Sequence, residues 1–443
     1  MISDQKLESI ADIIDSRHKT PIYSDAGYPM VRVVDIKGGY LNLDNTKKVS
    51  EDVYKDFSKG RDPEIGDLVF SRVGSYGNVS VVKNTEKFCL GQNTVFIIPK
   101  EKDDYLYYAL QSPQVKNQIE SSVVGAVQKT ISLKSIKLLD IPYPEKEDRS
   151  SIVKILSNID SKISNNTAMN ATLEKIAQRI FKSWFVDFDP VKANAEGVPF
   201  DGLSPEIQSL FPNEFEESEL GMIPKGWEVK EIQDVSEFRN GYAFKSKELT
   251  ETKTENSLSV FKMGNILKGG GFKRSGSKDF FEYIPGTKLD NHLAKKGDLL
   301  MCMTDMKANV ALLGHTALMP VDDEFLVNQR VGHIRISENS YLTYPFLYLY
   351  TNSASFIHEI RSKANSGVQV NLSTKVIKES KIVVPPESIH KQFDNVAKAC
   401  FEKIFLNELM NNNLSKIRDK LLPRLISGKI TIQKAEELLE EAS

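Results

Sequence analysis

Arginine and lysine neutralise phosphate and read guanine, and asparagine and glutamine pair with adenine; such residues recur in this chain at turns between short apolar runs. Early in the chain they are Arg32 and Lys37, then Arg72, Ser75, Tyr76 and Asn78, then Gln92 and Asn93, then Gln128, Lys129 and Thr130. Later, equivalent places hold Lys262 and Asn265, then Met306, Lys307 and Asn309, then Asn328, Gln329 and Arg330, then Gln369 and Asn371. Arg239, Asn240, Tyr242 and Lys245 precede that second series. Each alone is an ordinary surface or turn residue. Recurring in one order, they become candidates for contact with nucleic acid, although a shared fold also imposes such recurrence, with Gln92 and Gln369 capping turns.

Other chemistry has less footing. An amino-methyltransferase would need a polar residue, two prolines and an aromatic to hold its target amine, together with a glycine-rich cofactor loop. Val384-Pro385-Pro386-Glu387 has the prolines without those flanks and reads as a helix start. The run from Gly271 to Lys278 places Lys and Ser in the wrong order for a phosphate loop and reads as a turn. The six histidines are dispersed without ligand spacing, and His292 and His333 form no triad. No catalytic or metal-binding residue is assigned.

The elements that must position the candidates form a repeat. Residues 1–144 contain YPMVRVVDIKGGYL, EIGDLVFSRVGSYGNVSVVKN, FCLGQNTVFIIPK, YLYYALQSPQVKNQIE and GAVQKTISLKSIKLLDIPYP. Residues 227–386 give LSVFKMGNILKGGGF, KKGDLLMCMTDMKANVALLGHT, EFLVNQRVGHIRIS, YLTYPFLYLYTNSASFIHEI and SGVQVNLSTKVIKESKIVVPP in the same order. Gly66-Asp67-Leu68 aligns with Gly297-Asp298-Leu299, Gln92-Asn93 with Asn328-Gln329, and Gln128 with Gln369. Alternating apolar residues between Gly and Asn turn signals predict short strands and one helix per repeat.

Each repeat runs into a long helix, over 147–185 and 387–426. In the first, Ile152, Leu156, Ile159 and Ile163, then Leu173, Ile176 and Ile180, form a narrow coiled-coil seam. In the second, Phe393, Val396, Cys400 and Ile404, then Leu414, Ile417, Leu421 and Leu425, do the same. Connectivity makes their simplest packing antiparallel, and at 1.5 Å per residue helices of about 33 residues span about 50 Å. That is on the order of one to one and a half turns of duplex DNA, so two unlike readers would recognise an asymmetric bipartite target. Asn165, Asn166 and Asn170, with Asn411, Asn412 and Asn413, either face water or form a buried amide pair that fixes register.

The expected fold class is α+β: two pseudo-repeated α/β units separated by two long antiparallel helices of coiled-coil type. The expected boundaries are 1–145 for the first unit, 146–186 for the central helix and 187–226 for an acidic, proline-bearing linker. The second unit follows over 227–386, the C-terminal helix over 387–427 and a tail over 428–443. A length of 443 residues suits two or three domains. The net charge of -2 excludes a globally basic surface and leaves room for a basic face. No run approaches the ~20 apolar residues of a membrane span, and the first residues do not resemble a secretory signal. Three scattered cysteines, Cys89, Cys302 and Cys400, fit a reducing cytoplasm.

The runs LEKIAQRIFKSWFVDFDPV from Leu173, FPNEFEESELGMIPKGWEV from Phe211 and LLPRLISGKI from Leu421 are long and specific. Looser ones are IIDSRHKTP, YPMVRVVDIKGG and FRNGYAFKS. With the order unit, helix, unit, helix, the chain resembles the specificity (S) subunits of type I restriction-modification systems over nearly its whole length. The resemblance implies two target-recognition domains, which bind double-stranded DNA, and two helical regions that bind two methyltransferase (M) subunits. The assembly methylates adenine at N6, and motor-nuclease (R) subunits join it for cleavage. S-adenosylmethionine, ATP and magnesium would then be bound by the partners, and this chain would hold no cofactor, no catalytic site and no membrane contact. Phe181, Trp184, Phe185 and Phe188 are either core or a docking surface for the methyltransferase subunit. The alternatives are a self-sufficient DNA methyltransferase or nuclease, and a helical scaffold with two non-DNA binding modules.

Overall fold

Both proline-bearing runs end a strand and launch a helix. Strand Asp140–Tyr143 leads into the 40-residue helix Lys146–Phe185, and strand Lys381–Val384 into the 40-residue helix Glu387–Ile426. Proline ends the ladder because it has no N–H to donate, and Glu147, Asp148 and Glu387 then complement the dipole of the first helical turn. The computed structural model describes residues 3–125, 129–306, 310–367 and 369–440. Gln128, Lys307 and Asn309 therefore lie outside the described residues.

The chain divides into two compact units. Residues 1–165 and 410–443 form unit 1, and residues 166–409 form unit 2. Each long helix gives one half to each unit. In unit 1 the strands Ala11–Asp15, Thr94–Pro99, Leu68–Ser71 and Val79–Val81 lie in that order in one antiparallel sheet. Unit 2 repeats the order with Ser236–Asn240, Val331–Ile336, Leu299–Cys302 and Thr316–Leu318. A second sheet orders Lys47–Val49, Tyr28–Val31 and Cys89–Leu90 in unit 1, and Phe280–Glu282, Ser257–Phe261 and Phe325–Val327 in unit 2. Each of these contains one parallel pair. The strand before each long helix pairs with the first strand of its own repeat, Ser3–Lys6 or Glu228–Glu231.

Strand pairing corrects one alignment. Leu68 pairs with Ile97 and Leu299 with Ile334, while the amides of Gly91 and Asn328 donate to the carbonyls of Val31 and Phe261 at 2.8 and 3.0 Å. Gln92 thus corresponds to Gln329, and Asn93 to Arg330. The like composition of Gln-Asn and Asn-Gln had suggested a register one residue away. The Gly-Asp-Leu alignment holds for a physical reason: Gly66 and Gly297 adopt φ of 88° and 89°, a region that favours glycine. The buried Asp67 and Asp298 carboxylates accept from the amides of Glu64 and Lys295 at 2.8 and 2.7 Å, closing the same turn.

In unit 1 the core joins Leu68, Phe70, Ile97 and Tyr105 to Ile152, Leu156 and Ile159 of the first helix and Leu421 and Leu425 of the second. In unit 2 it joins Phe346 and Ile334 to Ala177, Phe181, Trp184 and Phe185 of the first helix and Phe393, Ala397 and Phe401 of the second. The expected seam needs correction in unit 2, where Ile176 and Val396 are 41% and 42% exposed. The buried stripe passes instead through Ala177 and Ala397, whose small side chains admit the large rings beside them.

Within unit 2 the helices run antiparallel, with Phe181 against Phe393 and Asn170 against Asn407. Asn407 Nδ2 donates to Asn170 Oδ1 at 2.8 Å, and Asn170 Nδ2 donates to Glu408 at 3.1 Å. Asn170 therefore belongs to a buried amide pair, and its partner is Asn407. In unit 1 the antiparallel halves are tied by Arg418, which donates to Asp160 at 2.9 Å. The linker carries the helix Asp189–Glu196 and the hairpin Phe215–Ser218 with Gly221–Pro224. It has no separate core, since Val191, Phe211 and Ile223 join that of unit 2.

Candidate nucleic-acid interface

Three segments of unit 1 are laced together at one end of its four-stranded sheet. The amide of Arg72 donates to the carbonyl of Asn93 at 2.9 Å, and that of Ile131 to the carbonyl of Arg72 at 3.0 Å. Residues 72–78, 92–93 and 129–130 thereby converge. Ser75 is exposed, Gln92 and Asn93 are half-buried, and Asn93 turns the chain at φ 65°.

Local acids claim several of the expected contacts. Arg72, with its side chain only 12% exposed, donates to both oxygens of Asp15 at 2.8 and 2.9 Å, and its Nε reaches the carbonyl of Ile131. It braces the loop and presents no free fork. Lys129 and Tyr76 both engage Glu120, at 2.7 and 2.6 Å. The Lys129 hydrogen bond holds the Glu120 carboxyl below its ordinary range, and Glu120 raises the lysine in return. Asn78 donates to the carbonyl of Ile36, and Arg32 is held above its ordinary range by its hydrogen bond to Asp35. Lys37 is exposed, and Thr130 sits in the short strand Thr130–Ile131.

Unit 2 builds the same end with different side chains. The amide of Met303 donates to the carbonyl of Arg330 at 3.1 Å, and that of Leu372 to the carbonyl of Met303 at 2.9 Å. Strand Thr304–Met306 pairs with Gln369–Asn371, which pairs in turn with Asn365–Ser366. The amide of Gln329 donates to Tyr242 at 2.9 Å, and Asn240 accepts from Thr374 at 3.1 Å. Asn240, Tyr242, Asn328, Gln329, Arg330, Gln369 and Asn371 are thus collected, together with the 54% exposed Met306.

Three other candidates in unit 2, Asn265, Lys262 and Lys245, stand elsewhere. Asn265 is fully buried, its amide spanning Lys262 N and Lys273 O at 2.9 Å each, so it organises a turn and cannot reach a ligand. Lys262 pairs with Asp279 at 2.5 Å, and Lys245 with Glu248 at 3.6 Å. Arg239, exposed at the end of its strand, pairs with Glu237 at 3.0 Å.

The aromatic residues at the end of the first helix are resolved by burial. Phe181, Trp184 and Phe185 are 3%, 7% and 3% exposed and pack edge-to-face against Phe346, Phe211 and Phe393, respectively. Phe188 packs on Phe215 and Trp227. Of the two readings, core or docking surface, these rings take the first: they fill the core of unit 2 because helix, linker and sheet all bring apolar faces to them. Glu120 and Asp15 were missed as determinants of the interface. Glu120 lies 44 residues from Tyr76 and Asp15 lies 57 from Arg72, and no local spacing carries that signal.

The family model for the type I restriction modification DNA specificity domain matches this chain twice, over residues 4–175 and 224–416. The type I restriction enzyme MjaIX specificity subunit of Methanocaldococcus jannaschii is 27% identical over 87% of this chain and 82% of its own length. The type I restriction enzyme HindI specificity subunit of Haemophilus influenzae is 26% identical over 97% of this chain and all of its own. The crystal structure of a type I restriction-modification system S subunit from M. genitalium shares the fold at a TM-score of 0.54, with 16% identity and 96% of each chain covered.

Proposed function

We propose that this chain, which belongs to the type I restriction modification DNA specificity family, reads a bipartite DNA target on behalf of catalytic partners in the cytoplasm. Unit 1 reads one half-site and unit 2 the other. Two methyltransferase subunits methylate adenine at N6 using S-adenosylmethionine, and motor-nuclease subunits that use ATP and magnesium cleave unmodified DNA. The chain supplies recognition and no catalysis.

The observation that carries this reading is the repeat of one topology with unlike residues on matching loops: Asn93 stands where unit 2 has Arg330, beside a glutamine shared by both units. One backbone, presented twice with different donors and acceptors, suits a target whose halves differ. Methylated adenines are to be mapped across the genome with and without this gene. The expected result is a two-part asymmetric motif that loses methylation in the deletion strain; an unchanged methylation map refutes the proposal.

A further inference from the structure

Most cations at the sheet ends described above are matched by carboxylates. Arg72 has Asp15, Lys129 has Glu120 and Arg239 has Glu237. Arg330 differs. It is exposed, and among the described residues it forms no ion pair; its Nη1 donates to the neutral amide oxygen of Gln369 at 3.4 Å.

Its backbone is held on both sides. The Arg330 amide donates to Asn328 Oδ1 at 3.3 Å, and its carbonyl accepts from Met303 at 3.1 Å. Gln369 is carried by a strand paired with Thr304–Met306 and Asn365–Ser366. The guanidinium is therefore charged, accessible and oriented by a neutral partner that takes one donor and leaves the rest of the fork free. A planar fork of this kind matches the O6 and N7 acceptors of guanine in the major groove. Unit 1 has Asn93 at the same place, a side chain suited to adenine and without charge.

We propose that Arg330, oriented by Gln369, is a base-reading residue that requires guanine at one position of the half-site read by unit 2, and that unit 1 has no equivalent requirement from Asn93. The inference rests on the DNA-reading function proposed above.

The test uses the whole chain co-expressed with its methyltransferase partner in a host lacking adenine methylation, with methylated sites mapped by single-molecule sequencing. Arg330→Ala is expected to keep one half-site intact and to relax the other at a single guanine, and Gln369→Ala to relax the same position in part. An unchanged motif methylated at lower yield overturns the proposal, because a phosphate contact or a structural role weakens all sequences alike. A wild-type map without a two-part motif overturns the DNA-reading function beneath it. A second measurement needs no mutant: the wild-type complex is titrated with duplexes carrying 7-deazaguanine at each guanine of the target in turn. Loss of N7 at one position of one half-site is expected to weaken binding by roughly fivefold or more, within the range for a bidentate contact. Unchanged affinity at every guanine overturns the proposal.

Discussion

Arg149 and His390 occupy the same place in the two units, in the first turn of each long helix, with their amides donating to Glu145 and Pro386 at 3.0 Å. Unit 1 keeps a charge there and unit 2 excludes one. Arg149 is 3% exposed, donates to Glu101, Asp103 and the carbonyl of Pro144 at 2.6, 2.7 and 2.9 Å, and lies over the ring of Tyr143. His390 is 2% exposed among the rings of Tyr341, Phe346 and Phe393, with Thr343 and Asp394 beside it, and burial pushes its imidazole down to about 4. One backbone junction thus accepts two opposite solutions. The launch of the helix is set by the strand, the prolines and the apolar face, and the buried polar group is free to differ.

The comparison is broken most forcefully at Arg149. Replacing it with methionine preserves much of the volume but leaves Asp103, with its side chain 15% exposed, without its cation. Removing one partner of a buried ion pair costs about 3–5 kcal/mol. Hydrogen exchange is the measurement, read on the amides that join Ser3–Lys6 to Asp140–Tyr143: protection is expected to fall by that amount in unit 1 and to hold in the ladder between Glu228–Glu231 and Lys381–Val384. Unchanged protection in unit 1 would mean that the network contributes nothing.

Acid sharpens the other side. A histidine whose folded pKa lies below its unfolded value of about 6.5 is neutral in the fold, so the unfolded chain takes up the proton first. The contribution of His390 is present above pH 6.5, declines as the pH falls toward about 4 and is lost below that. The full loss is about 3 kcal/mol. His390→Phe should flatten the acid limb of unit 2 stability over that window, measured by urea unfolding at a series of pH values. A limb of unchanged slope would assign the acid sensitivity to other groups.

Much of this arrangement was legible in the sequence because it is periodic. The order of blocks, both long helices and the Gly-Asp-Leu turns follow from apolar spacing and from glycine at positive φ, which are local properties. Long-range pairings were not legible. The clamp of Asp15 on Arg72 and the bond from Tyr76 to Glu120 join residues distant in sequence, and Asn265 looks like any turn asparagine until its neighbours bury it. Ile176 and Val396 fit the heptad, yet the alanines beside them are buried, because the partner face is lined by rings that need the room. Arg330 was visible as one residue among many; its lack of a carboxylate partner among the described residues could be seen only once Arg72, Lys129 and Arg239 had theirs.

Asn170 and Asn407 give an intermediate between the charged and the neutral junction: a buried polar pair with no charge. Asn407 is 1% exposed and Asn170 9% exposed. Asn407→Leu removes the donor to Asn170 Oδ1 while leaving the bond from Asn170 to Glu408, so the cost should be about 1–3 kcal/mol, below that of Arg149→Met. Neither amide titrates, so that cost should be the same at pH 5 and pH 8, unlike the effect at His390. The double variant Asn170→Leu, Asn407→Leu should regain much of the stability, because it removes both amides and leaves only the half-buried Glu408 carboxylate without its donor. What it should lose is registry, since two leucines tolerate a slip of one helix along the other that a paired amide forbids. Spin labels at the exposed positions Ile176 and Val396 read this directly: one inter-label distance is expected in the wild-type background, and more than one in the double variant. If the double variant keeps one distance, register is held by the aromatic core alone, and the amide pair is a tolerated polar group.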